Sequence, residues 1–228
     1  MAPVVEIFDW RDRAPALQPK SRIIRGKTVM RDPSTITTVV LHQTACEFGV
    51  SAASARANGE ELGQRLRTAK VACHALAFRE GWVVAMRPLR SFVHHANKAN
   101  PYSLGLEIEG LYSGLADDPA TAPNEARRTV WNMDRWSGPP DELTVETARA
   151  ALCWLVEQGR AEGMPIEWVD AHRQSSRTRR SDPGEELWKA VVVDYARPKL
   201  GLRTRPDFTI GPGRPIPRAW DPTATARY

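Results

Sequence analysis

Residues 36–44 read ITTVVLHQT, and their density of β-branched side chains over so short a run argues a buried strand rather than a helix. A strand of that kind commits the chain to a sheet-centred fold. It also places His42 near the strand's end, where a buried strand emerges into solvent. Further strand signals follow. VACHALAFREGWVVAMRP (71–88) has two apolar runs around a short glycine-containing loop, the mark of a hairpin. SLGLEIEG (103–110) alternates apolar and polar, as a strand with one wet face does. IEWVDAH (166–172) predicts a short strand that runs straight into DAHRQSSRTRRSDPG (170–184).

Helical signals lie between these strands. LTVETARAALCWLVEQGRAEG (143–163) carries Val145, Ala148, Leu152, Leu155 and Val156 at helical spacing and stops at Gly163. SAASARANGEELGQRLRTA (51–69) favours helix despite Gly59 and Gly63, and EELWKAVVVDYA (185–196) predicts a final helix after the DPG turn. The pattern is that of an α/β protein. Residues 1–34 are mixed and rich in Pro and Arg, which suggests an N-terminal arm laid on the domain. Residues 35–197 form the main domain. Within it, 111–142 is a Pro-, Gly- and Asp-rich insertion with one short helix expected over 124–133. Residues 198–228 are too proline-rich for a regular element and are expected as an extended tail, packed or disordered.

Composition excludes several classes. No apolar run reaches membrane-spanning length, so no stable membrane insertion is expected, and MAPVVEIFDWRDRAPALQPK has no basic-then-apolar export signal. Synthesis in the cytoplasm follows as an expectation. Three scattered cysteines, Cys46, Cys73 and Cys153, fit a reducing compartment and a packing role. The net charge of +5 implies an anionic partner. Nucleic acid is not expected, because the chain shows no zinc finger, no aromatic RNA-reading strand and no helix with one basic face.

Two histidines and a carboxylate from separate elements, His42, His172 and Asp182, suit a zinc ion with an open fourth position, which is the catalytic arrangement. Spacing alone does not make them converge. The residues also carry a resemblance: LHQTA (41–45), ACHALAFREGWV (72–83), HHAN (94–97), NPYSLGLEIEG (100–110) and DAHRQSSRTRRSDPG (170–184) resemble the zinc-dependent N-acetylmuramoyl-L-alanine amidases. That family includes amidase-type phage lysozymes, bacterial anhydro-muropeptide amidases and peptidoglycan recognition proteins. The likeness spans Ile36 to Tyr195.

The resemblance implies a mixed central β-sheet flanked by α-helices, and a zinc site made by His42, His172 and Asp182. It implies hydrolysis of the amide between N-acetylmuramic acid and L-alanine, with Glu107 moving the proton and Arg180 sharing the oxyanion. Glu109 lies on the same strand face by alternation and competes with Glu107; family position points to Glu107. Arg180 stands where the family commonly has lysine, and Cys73 where phage members carry a tyrosine, so Glu107 is left to do the proton work alone. His74, His95 and Asn97 fall at positions that contact substrate or flank the metal, while His94 is expected at the surface. The expected partner is peptidoglycan or a muropeptide, and the expected state is monomeric. Three settings are implied: an endolysin acting on the wall, a cytoplasmic muropeptide-recycling enzyme, or a peptidoglycan-binding module that does not cut.

Overall fold

The structure is a computed structural model that describes residues 5–11, 20–46, 48, 70–112 and 139–223. The helices expected over 51–69 and 124–133 lie outside the described residues. Strands β1 (Glu6–Asp9), β4 (Thr38–Gln43), β5 (Ala75–Phe78), β6 (Trp82–Ala85), β7 (Ser103–Ile108) and β8 (Trp168–Ala171) form one sheet in the order β1-β6-β5-β7-β4-β8. Only the β5–β6 hairpin pairs antiparallel; the other four pairs are parallel, so the sheet is mixed. A second, two-stranded ribbon joins β2 (Ile23–Ile24) to β3 (Lys27–Thr28). The fold is thus α/β, as expected. Among the described residues no helix is long and apolar enough to cross a membrane.

The ITTVVLHQT run becomes β4, which has β7 on one side and β8 on the other and is buried at every residue. Its alternate residues Val39 and Leu41 face a helix, α1 (Glu142–Ala161), whose Ala148, Ala151, Leu152, Leu155 and Val156 pack into the same core. Leu104, Leu106 and Ile108 of β7 join them there. Thr144 and Thr147 are buried on this helix, whereas Val145, expected in its apolar stripe, is only half-buried. The helix starts where the Asp141 side chain accepts the Thr144 amide at 2.8 Å and stops before Gly163, whose φ of +84° suits glycine. Asp141→Ala is expected to cost about 1 kcal/mol of stability, read as a lower denaturation midpoint in urea with no change in slope.

One expectation is corrected. The polar face of β7 is not wet: Ser103 is fully buried, and Glu107 keeps only 14% of its side-chain surface. The reason is its place inside the sheet, parallel to β4 on one side and β5 on the other, so its polar alternation marks a site face.

The described parts of the arm and of the tail belong to the packed body. β1, from the arm, pairs with β6 as an edge strand. After the last helix, which runs as α2 (Glu185–Trp188), a π-helical stretch (Lys189–Ala196) and α3 (Arg197–Leu200), the Pro-rich tail returns to the core. Leu202, Ile216 and Trp220 lie in the main apolar cluster, and Trp220 is fully buried.

Candidate metal centre

His42 and Glu107 are direct partners in the β4–β7 register, so the two side chains rise from the same sheet face. His172 opens a single 3-10 turn (His172–Ser175) at the end of β8, the strand on the other side of β4. Asp182 comes from the loop that follows. Its Oδ1 accepts the Gln43 amide at 2.9 Å and its Oδ2 meets His172 Nδ1 at 2.8 Å, which ties the loop to both strand ends. Ligand-type atoms of His42, His172 and Asp182 lie within 4.8 Å of one another, all three residues buried.

Whether this set fits a metal can be tested on two atoms. His42 Nδ1 and Glu107 Oε2 are buried and have no hydrogen-bond partner among the described residues. A buried polar atom without a partner is costly, and an imidazole lone pair and a carboxylate are the donors a zinc ion uses. His42 Nδ1 is also 3.9 Å from Glu107 Oε1. Burial, helped by the nearby rings of His172 and His95, holds the His42 pKa well below the usual histidine range, so the ring is neutral, as a ligand must be. The donor set fits zinc.

Glu107 behaves in the opposite sense. Burial and the neighbouring Asp182 carboxylate push its pKa well up, while Arg179 pulls it back. A carboxyl group so tuned keeps its proton to higher pH than an ordinary glutamate and gives it up when a cation arrives, which suits a general acid/base. Glu109 is employed otherwise. Its Oε1 accepts the Phe48 amide and its Oε2 accepts the Arg79 amide at 3.2 Å. Cys73 is fully buried, and burial pushes its thiol pKa up, which keeps it an inert packing group.

A cavity of about 460 Å³ opens beside His172 and is lined by His94, His95, Asn97, Asn100, Ser176, Thr178 and Arg179. Asn97 adopts φ +54° and donates from Nδ2 to the Ser175 carbonyl at 2.9 Å, which couples one rim of the cavity to the His172 turn. His74 does not reach it. The ring has no exposed surface; its Nδ1 accepts the Gly105 amide at 2.9 Å, and Nε2 lies 3.1 Å from the Ser91 carbonyl. The expected substrate contact by His74 is therefore corrected: a β7 amide and the Ser91 carbonyl use its two nitrogens.

Arg180 is half-buried, and its carbonyl accepts the Arg173 guanidinium at 2.5 Å. The arginine that lines the cavity and whose charge reaches His42 and Glu107 is its neighbour Arg179. Counting back from Asp182 cannot separate the two, because nothing in RTRR says which residue the turn aims inward. His94 is exposed, as expected, and lines the cavity from the surface.

The tail grips the same turn. Gln174 Nε2 donates to the Arg205 and Phe208 carbonyls at 2.8 and 2.9 Å, and the Ile210 and Arg214 amides donate to the Gln174 and Arg173 carbonyls at 2.9 and 2.8 Å. Arg205 makes a two-pronged pair with the buried Asp170, two residues before His172, at 2.9 and 2.6 Å. The Arg173 guanidinium lies 5.0 Å from the Trp220 ring centroid. Nothing in the proline-rich composition signalled this contact.

No curated protein matches the chain. Several solved structures are similar to the chain at low identity. The endolysin N-acetylmuramoyl-L-alanine amidase LysCS from Clostridium intestinale is 12% identical over 89% of this chain and 100% of its own, with a TM-score of 0.49. A chain of the peptidoglycan recognition protein LCa–LCx ectodomain complex with tracheal cytotoxin is 19% identical over 87% and 99%, TM-score 0.49. Drosophila peptidoglycan recognition protein SD is 19% identical over 80% and 90%, TM-score 0.45. At that distance the weight rests on the family model, which matches residues 32–185 and so takes in β4, β7 and the whole ligand loop. The chain belongs to the N-acetylmuramoyl-L-alanine amidase family.

Proposed function

We propose that this protein is a zinc-dependent N-acetylmuramoyl-L-alanine amidase that cleaves the amide between the lactyl group of N-acetylmuramic acid and L-alanine in peptidoglycan. What supports this most is the convergence of His42, His172 and Asp182 from three separate elements around a buried imidazole nitrogen that has no other partner. A zinc ion held there supplies Lewis-acid polarisation of an amide carbonyl and lowers the pKa of water toward about 7. Glu107 takes the proton from the attacking water and delivers it to the leaving amide nitrogen, a transfer its open Oε2 and raised pKa suit. The oxyanion role expected of Arg180 falls to Arg179, whose cation lines the cavity. His94, Asn97 and Thr178 flank the same opening and contact the glycopeptide.

The biological setting we favour is that of an endolysin, since a net charge of +5 attracts the chain to an anionic wall. The decisive experiment follows new amino termini released from purified Gram-negative peptidoglycan by the zinc-loaded protein, the chelated protein and Asp182→Ala. Release by the first alone is the expected result. Binding of peptidoglycan without release by the loaded protein overturns the enzyme reading in favour of a recognition module.

A further inference from the structure

His95 lines the cavity, and family position suggests substrate contact, yet its ring nitrogens point elsewhere. Nδ1 lies 3.1 Å from His42 Nε2, and Nε2 lies 3.3 Å from the Ser103 carbonyl and 3.2 Å from the Ser103 hydroxyl. The hydroxyl already donates to the Ala99 carbonyl at 2.7 Å. Both partners of His95 Nε2 are therefore acceptors, so Nε2 must carry the proton. The ring is buried and its Nδ1 faces the His42 ring, so the single proton on Nε2 satisfies it. It follows that Nδ1 is a lone-pair acceptor, and that the proton between the two rings belongs to His42 Nε2. His42 Nδ1, buried and without a partner among the described residues, is then a lone pair 3.9 Å from Glu107 Oε1.

The geometry points to His95 as a positioning residue that fixes the tautomer and ring orientation of His42, leaving Nδ1 free to bind a metal. A hydrogen bond on the far nitrogen of a ligand histidine sets which nitrogen meets the metal. The surroundings hold His95 in this pose. Its amide and that of Ala96 both donate to Asn100 Oδ1, at 3.0 and 2.6 Å. Gly105 of β7 leaves the room the ring occupies: a Cβ there would lie 2.8 Å from His95 Nδ1. The role rests on the metal reading of His42, but the tautomer itself does not need the metal.

The test uses the full chain labelled with 15N in histidine, metal-free, as wild type, His95→Asn and His95→Leu. Asn keeps an acceptor, Oδ1, the same number of bonds from Cα as Nδ1; Leu keeps none. Long-range proton–nitrogen correlation of the imidazoles is expected to show His42 protonated at Nε2 in wild type and His95→Asn, and a mixture of tautomers in His95→Leu. Zinc dissociation constants are expected to rise roughly 10–100-fold in His95→Leu and to return most of the way in His95→Asn. A wild-type His42 proton on Nδ1, or wild-type zinc affinity in a folded His95→Leu, overturns the assignment. Failure of the metal reading looks different: wild type then binds zinc no better than His42→Ala, while the metal-free tautomer still decides the role of His95.

Discussion

Glu107→Gln is expected to lower amide hydrolysis by about 10²–10⁴-fold while leaving zinc affinity within a few-fold of wild type. The substitution keeps the shape of the side chain and removes only its ability to exchange a proton. Because burial pushes the Glu107 pKa up and so already favours the uncharged carboxyl, the neutral amide adds no charge to bury. Thermal stability is accordingly expected to hold or rise. Glu109→Gln is expected to behave in reverse. Its carboxylate accepts two backbone amides, Phe48 and Arg79, so weakening those bonds costs about 1–3 kcal/mol of stability with turnover retained. Turnover on peptidoglycan and urea denaturation of both variants give four numbers. Loss of turnover in Glu109→Gln with retention in Glu107→Gln would move the proton-transfer role along the strand by two residues.

That pair shows what the sequence could and could not carry. Alternation puts Glu107 and Glu109 on one face, and nothing local separates them. The separation comes from long-range partners: the β4–β7 register that sets Glu107 against His42, and the Arg79 and Phe48 amides that occupy Glu109. The strands, the hairpin and helix α1 were legible because each depends on local periodicity and turn chemistry. The metal-ligand candidates were legible because their local motifs are dense. His74 and His95 looked alike in sequence, and they differ through what meets Nδ1, a strand amide for His74 and the His42 ring for His95. The tail was the least legible part. Proline removes backbone donors and periodicity, so Ile216 and Trp220 carry no pattern that announces a core role, and their burial depends on a turn more than forty residues earlier.

The same buried histidines make a second large effect, in acid. Metal-free protein is expected to lose about 2–3 kcal/mol of stability for each pH unit between pH 6 and pH 5. The sign follows from proton counts. Burial holds the pKa values of His42, His74 and His95 far below the ordinary value near 6.5, with the Arg31 guanidinium, 3.0 Å from His74 Nε2, adding to the effect on that ring. In this window the unfolded chain binds three protons at these positions that the folded chain does not. Their contribution is present above the unfolded pKa and is lost as pH falls. Glu107 works the other way, since its raised pKa makes the folded state bind one proton more than the unfolded state; Asp170, raised by burial, adds to that side at the acid end. The difference is about two protons, each worth about 1.36 kcal/mol per pH unit. Against a typical reserve of roughly 5–15 kcal/mol, such a slope removes a substantial share of the metal-free chain's stability by pH 5. Zinc competes with protons for His42 and binds only the folded state, so saturating zinc is expected to shift the acid midpoint downward. Urea denaturation of metal-free protein at pH 7, 6 and 5 measures the slope directly. A flat profile would mean that the three rings accept protons within the fold, and the neutral His42–His95 pair would have to be given up with them.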